Sequence, residues 1–310
     1  MAEIVISEFM DEAALDNLRQ RYSVTYDPSL VDNPDRLQVE LADAVALIVR
    51  NRTRVNASLL DHGPHLRCVG RLGVGLDNID LDECRRCNVS VHPATGANDL
   101  SVAEYVMTAA LMLLRGAWLS TAAVASGSWP RQTLIGRELA GRTMGLVGFG
   151  AIAREVAWRA QAMGMQIVAY DPHLPADNPA WQSARNMSLE GLLEVADVVS
   201  LHVPLTPATT KMIGATEIAG MNTGAVLINA ARGGVVDEQA LADALRAGKL
   251  GGAALDVFEV EPLTAEAGAK FVGIPNLLLT PHIAGVTDES NVRVSSVIAE
   301  KVLAELERTR

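Results

Sequence analysis

The sequence predicts an α/β fold made of two doubly wound parallel sheets with a cleft between them. Two observations carry this. Short apolar runs alternate with amphipathic stretches along the 310 residues, the pattern of strands joined by crossover helices. A glycine-rich strand–turn–helix begins at Arg142, so a whole unit comes before it. Composition agrees: 49% hydrophobic and 20% charged residues is ordinary globular usage, and the length suits about two domains.

In the first unit the apolar runs 3–7, 23–26, 44–49, 68–72 and 90–92 read as strands, with helical stretches such as 11–21 and 34–42 between them. This pattern is flavodoxin-like. A long helix is expected over 99–116, with Asp99 or Ser101 placed to cap its start. The stretch 120–138 is less regular, carries Trp129 before Pro130, and reads as an arm suited to burial on a second copy of the chain. The second, Rossmann-like unit starts at Thr143, with further strands at 198–202, 225–229, 252–255 and 277–280. A closing helix over about 288–307 has alternating charge and an apolar side made by Val294, Val297, Ile298 and Leu303.

The turn of the second unit reads Gly148-Phe149-Gly150-Ala151-Ile152-Ala153. Gly148 permits the tight turn, Gly150 lets backbone approach a pyrophosphate, and Ala153 takes the place of a third glycine. The helix opening at Ala151 and Ile152 offers N–H groups and a positive dipole end to phosphates. The next strand ends in Asp171, 23 residues after Gly148, where an acid accepts the adenosine ribose hydroxyls and repels a 2′-phosphate. Strand, turn, helix, strand and acid together predict a dinucleotide, NAD in preference to NADP. The domain reading follows: 1–98 with 286–310 as a substrate-binding unit, and 99–285 as the NAD-binding unit, its 99–140 segment a dimerisation helix and arm.

Charge and cysteine usage narrow the partners. The net charge of −11 argues against nucleic acid and against anionic membrane surfaces. No apolar run reaches the ~20 residues of a membrane helix. The chain opens as a strand without a basic leader, and its three cysteines suit a reducing cytoplasm. Cys84-Arg85-Arg86-Cys87 has no second pair to complete a zinc site, and His62 and His65 sit in a polar loop, so no metal is expected.

Three loops follow strands of the second unit, where open α/β sheets place their ligands. They are Asn229-Ala230-Ala231-Arg232-Gly233, Asp256 to Pro262, and Pro281-His282-Ile283-Ala284-Gly285. Singly, Arg232, Glu261 and His282 read as an exposed cation, a solvated acid and a structural imidazole. Together they put a cation, an acid and a titratable ring on one rim facing the nicotinamide end, which is what a hydride-transfer site needs.

With Arg71 to Asp80, Ser101-Val102-Ala103-Glu104 and His202-Val203-Pro204-Leu205-Thr206, these motifs make the chain resemble the D-isomer-specific 2-hydroxyacid dehydrogenase family over nearly its full length. The resemblance implies roles. Arg232 anchors the substrate carboxylate, His282 is the general acid/base on the C2 oxygen, and Glu261 orients His282. Val74 and Gly75 hold the carboxylate by backbone, with Val74 also near the cofactor, and Asn98 lies beside the substrate. Asp256, Ala230 and Ala231 face the nicotinamide, Val203 lines the adenine side, and Gly285 approaches the nicotinamide amide. Hinges fall near 98–101 and 285–287. Tyr105 departs from the histidine common after Ser-Val-Ala-Glu, and Leu72 from a small residue.

The stretch 129–150 resembles the 3-phosphoglycerate dehydrogenase branch, and the whole chain is similar to bacterial enzymes that oxidise (S)-3-sulfolactate. In sulfolactate the sulfonate arm outranks the carboxylate, so a D-like arrangement is named (S). Arg50, Arg52 and Arg54 alternate after a strand, and an extended chain there would turn all three to one face as a site for a second anion. The expected substrate is a dianionic 2-hydroxy acid: 3-sulfolactate first, then 3-phosphoglycerate, then hydroxypyruvate or glyoxylate. The expected assembly is a homodimer or tetramer. A dinucleotide-sensing corepressor of the same fold keeps the Arg–Glu–His trio and is the alternative outside enzymology.

Overall fold

The computed structural model describes residues 3–308; residues 1–2 and 309–310, which the domain reading included, lie outside the described residues. The chain divides into two compact units, Met1–Asn98 with Val286–Arg310, and Asp99–Gly285.

The first unit is built on β1 (Ile4–Ile6), β2 (Val24–Tyr26), β3 (Ala46–Val49), β4 (Cys68–Arg71) and β5 (Ser90–Pro93). They pair in parallel in the order β2-β1-β3-β4-β5, the flavodoxin order. β1 and β3 are apolar at every position because both faces of a parallel sheet are covered. One cover is the Asp288–Arg308 helix, whose Val294, Ile298 and Leu303 are buried with Ile4, Ile6 and Ile48 while Val297 packs at the margin. Leu30, Leu37 and Leu60 cover the opposite face over Leu47 and Val69.

The second unit holds β6 (Thr143–Val147), β7 (Gln166–Tyr170), β8 (Arg185–Asn186), β9 (Val198–Leu201), β10 (Val226–Asn229), β11 (Gly252–Leu255) and β12 (Leu277–Leu279). Their order is β12-β11-β10-β9-β6-β7-β8, again with parallel pairings. Connection order reverses between β6 and β9, so the crevice at the carboxyl ends of these two strands is the switch point. β8 was not expected; two polar residues at a sheet edge carry no hydrophobic period to read. The Asp99–Arg115 helix packs Val102, Val106, Ala110 and Leu113 against Met144, Leu146 and Val226, and ends at Gly116 with φ +58°. In the segment beyond it, Trp129 is 80% exposed and Ile135 76%.

Candidate active site

The turn after β6 has two glycines with different reasons. Gly148 has φ +88°, and a β-carbon there would come within 2.6 Å of the His202 carbonyl at the end of β9. The turn and the adjacent strand end therefore touch backbone to backbone at the switch point. Gly150 has an unremarkable φ of −75°, and a β-carbon there would meet nothing within 4 Å. Nothing in the protein around it demands glycine, and the space above it lies open at the start of the Ala151–Ala162 helix, which no side chain caps. That opening fits a dinucleotide pyrophosphate. Asp171 is drawn up beside the turn: Oδ2 accepts the Phe149 N–H and Oδ1 the His173 N–H, both at 2.9 Å. Val203 lies against Gly148 and is partly buried. Burial pushes the His202 imidazole down to about 4, and its Nε2 meets Ser200 Oγ at 2.9 Å, so this ring packs as a neutral group.

The loop after β10 is folded by its own first residue. Asn229 is buried; its Nδ2 donates to the Arg232 carbonyl at 2.9 Å and its Oδ1 accepts from Ala231 N at 3.1 Å. Ala230, Ala231 and Arg232 are thereby held in a tight bend, with Arg232 Nη1 donating to the Ala231 carbonyl at 2.6 Å. Gly233 then presses on the loop after β11: a β-carbon would fall 1.7 Å from the Phe258 carbonyl. Any side chain there forces the two loops apart.

The loops after β11 and β12 bring the remaining candidates together. Glu261 Oε1 accepts the Phe258 N–H at 3.0 Å, and Oε2 lies 2.7 Å from His282 Nδ1. Burial pushes the Glu261 carboxyl up, but the His282 and Phe258 hydrogen bonds and the charges of His282 and Arg232 outweigh it and hold it below its ordinary value. With Nδ1 donating to a carboxylate, the neutral ring keeps its lone pair on Nε2. His282 has φ +56°, a region that residues with a β-carbon rarely occupy. Asp256, 1% exposed, stands behind it. Its carbonyl accepts His282 N at 2.9 Å, and its carboxylate accepts Ile283 N at 2.7 Å, Ala284 N at 2.8 Å and the Thr280 hydroxyl at 2.6 Å. Gly285, partly buried, closes this loop. The part played by Thr280 is not legible in the sequence, where it is the last residue of the expected 277–280 strand; in the structure β12 ends at Leu279 and Thr280 opens the loop.

In the first unit the arginine stripe does not form. β3 ends at Val49, and residues 51–53 bend around the buried Glu8. Its carboxylate accepts backbone N–H groups of Arg50 at 2.8 Å, Arg52 at 3.1 Å and Thr53 at 3.0 Å, while Asn78 Nδ2 donates to the Thr53 carbonyl at 2.6 Å. An extended chain would leave that buried acid without donors. Arg50 donates to Asn291 Oδ1 at 2.8 Å and lies over Phe9, whereas Arg52 pairs with Asp32 at the surface. Val74 and Gly75 lie in the partly buried bend after β4, and Asn98 Oδ1 is buried without a hydrogen-bond partner.

A glycine turn at the switch point, with an arginine, a carboxylate and an imidazole on neighbouring strand-end loops, is the arrangement a nicotinamide-dependent oxidoreductase requires. The family model for the D-isomer specific 2-hydroxyacid dehydrogenase, NAD binding domain, matches residues 107–284. The chain is 57% identical to (S)-sulfolactate dehydrogenase of Chromohalobacter salexigens, over 97% of each chain. It is 41% identical to hydroxypyruvate reductase of Thermotoga maritima over 88% of each, and 34% identical to D-3-phosphoglycerate dehydrogenase of Archaeoglobus fulgidus over 97% of this chain and 56% of that one. D-lactate dehydrogenase from Aquifex aeolicus, solved with NAD and lactic acid, superposes with a TM-score of 0.86 at 30% identity, covering 98% of this chain and 96% of that one. The chain belongs to the D-isomer specific 2-hydroxyacid dehydrogenase family, and it is an NAD-dependent oxidoreductase. Among the described residues no helix is long and apolar enough to cross a membrane.

Proposed function

We propose that the chain oxidises (S)-3-sulfolactate to 3-sulfopyruvate. The observation that carries this substrate is the 57% identity to an (S)-sulfolactate dehydrogenase over 97% of both chains. The proposed roles follow the side-chain chemistry. Arg232 anchors the C1 carboxylate with a planar guanidinium, the geometry that pairs best with two carboxylate oxygens. His282 takes the C2 hydroxyl proton on Nε2, the nitrogen left with a lone pair once Nδ1 donates to Glu261. Glu261 then sits beside an imidazolium and stabilises it. In the reverse direction His282 returns the proton to the keto oxygen while Arg232 stabilises charge developing there.

The cofactor is held by Gly148, Gly150, Ala151, Ile152 and Asp171 at the switch point, with Val203, Ala230, Ala231, Asp256 and Gly285 around it and Val74 as a further contact. When bound, NAD accepts the hydride from C2. Val74, Gly75 and Asn98 are proposed as further substrate contacts, and Arg50 or Arg52 as the partner of the sulfonate. The exposed Trp129 and Ile135 support a homodimer that buries them, and the charge and cysteine usage support a cytoplasmic enzyme.

The test is steady-state NAD reduction with 3-sulfolactate, 3-phosphoglycerate, D-glycerate and D-lactate. The highest kcat/KM is expected for 3-sulfolactate. A preference for glycerate or lactate, which lack the second anion, overturns the substrate assignment. Light scattering tests the dimer.

A further inference from the structure

We infer that Tyr105 and Thr280 are positioning residues for the reaction, holding His282 through Asp256 by a series of two hydroxyl groups. The inference rests on the reading of His282 as the acid/base. Thr280 Oγ1 donates to Asp256 Oδ1 at 2.6 Å. A hydroxyl has one proton, so the 2.6 Å contact between Tyr105 Oη and Thr280 Oγ1 is one in which Tyr105 donates. The direction of the chain is thus set: Tyr105 to Thr280 to the Asp256 carboxylate.

The far end of this chain is the backbone immediately after His282, whose Ile283 and Ala284 N–H groups donate to the Asp256 carboxylate, while the His282 N–H donates to the Asp256 and Thr280 carbonyls. His282 is at φ +56°, a conformation that persists only where its surroundings over-determine it. Those surroundings are the His282, Ile283 and Ala284 N–H groups, which donate in turn to the carbonyl and the two carboxylate oxygens of Asp256. Asp256 Oδ1 receives two of these donors at once, Ile283 N and Thr280 Oγ1, so the rotation of its carboxylate depends on where Thr280 stands. Thr280 lies in a loop and could turn its hydroxyl elsewhere. Tyr105 prevents this from the Asp99–Arg115 helix, whose neighbouring Val106 and Ala103 are fully buried in the core. A loop histidine is thereby referred to a rigid element, as an acid/base that must meet its substrate within a fraction of an ångström requires. The role belongs to the hydroxyl: a phenylalanine would fill the same half-buried space without the proton.

The experiment compares Tyr105→Phe, Thr280→Val and Thr280→Ser by steady-state kinetics across pH. Tyr105→Phe and Thr280→Val are expected to lower kcat roughly tenfold while changing KM for NAD less than about twofold. Thr280→Ser, which keeps the hydroxyl, is expected to stay within about threefold of wild type. The Tyr105→Phe, Thr280→Val double variant should be no slower than Thr280→Val, because the two act in series. In a His282→Ala background Tyr105→Phe should have no further effect. Three results overturn the inference: unchanged kcat and pH profile in Tyr105→Phe, Thr280→Ser as impaired as Thr280→Val, or an equal loss from Tyr105→Phe with and without His282. If Thr280→Val does not fold, Tyr105→Phe, which removes a single oxygen, decides alone. Full turnover in His282→Ala would instead refute the acid/base reading, a separate outcome.

Discussion

Glu261 Oε2 and His282 Nδ1 meet at 2.7 Å although 21 residues separate them in the chain. The contact is made possible by parallel strands whose carboxyl ends lie side by side, Glu261 lying in the loop after β11 and His282 in the loop after β12. The Gly233 contact with the Phe258 carbonyl adds the Arg232 loop to the same rim.

This pair gives a pH-dependent prediction. The Glu261 carboxyl is held below its ordinary value in the fold, so its contribution to stability is fully present above the ordinary carboxylate range and is lost as pH falls through the depressed value. Glu261→Gln should therefore have a lower Tm than wild type near pH 7, and the two melting curves should converge in acid. A gap that widens in acid contradicts the sign. At pH 7 the same variant should lose roughly tenfold or more in kcat, since a neutral amide cannot stabilise an imidazolium.

The two glycines of the turn should separate folding from cofactor binding. Gly148→Ala puts a β-carbon at φ +88° and against the His202 carbonyl, and should cost about 1–3 kcal/mol of stability by denaturant melting. Gly150→Ala meets no protein atom within 4 Å at an allowed φ, so its Tm should stay near wild type while its NADH dissociation constant rises roughly tenfold by fluorescence titration. Equal stability losses in both variants would contradict the open space above Gly150.

Asp171→Ala should shift cofactor choice. The carboxylate accepts Phe149 N and His173 N, which fixes a negative charge beside the turn. Removing it should move the ratio of kcat/KM for NAD over NADP by more than about tenfold towards NADP.

Arg50 and Arg52 should differ. Burial pushes the Arg50 guanidinium down and the nearby Glu8 carboxylate offsets this only in part, whereas exposed Asp32 neutralises the exposed Arg52. Arg50→Ala is expected to raise KM for 3-sulfolactate roughly tenfold and Arg52→Ala less than about threefold. The reverse order would return the sulfonate to Arg52.

Much of this was legible in the sequence because it is local. Strands such as β3 and β11 announce themselves as apolar runs, and the Gly148–Asp171 spacing is a property of one strand–turn–helix–strand unit. The β8 edge, two polar residues long, has no such signal. The single arginine face expected from positions 50, 52 and 54 fails for a physical reason. Alternation implies one face only while the chain stays extended, and a buried acid 42 residues before Arg50 draws the backbone into a bend.

The sequence by itself determined the α/β class, the dinucleotide turn and the family, and it singled out the candidate acid, cation and imidazole. Tertiary structure alone decided how they are held: Asn229 folding the Arg232 loop, Glu8 bending the 50–53 segment, and Asp256 fixing a left-handed His282 through Thr280 and Tyr105. The Asn229 contacts span only two or three residues, but those of Glu8, Asp256, Thr280 and Tyr105 join residues 24 to 175 positions apart, and hydrogen-bond geometry over such distances is set by how the sheets and helices pack, which no local pattern encodes.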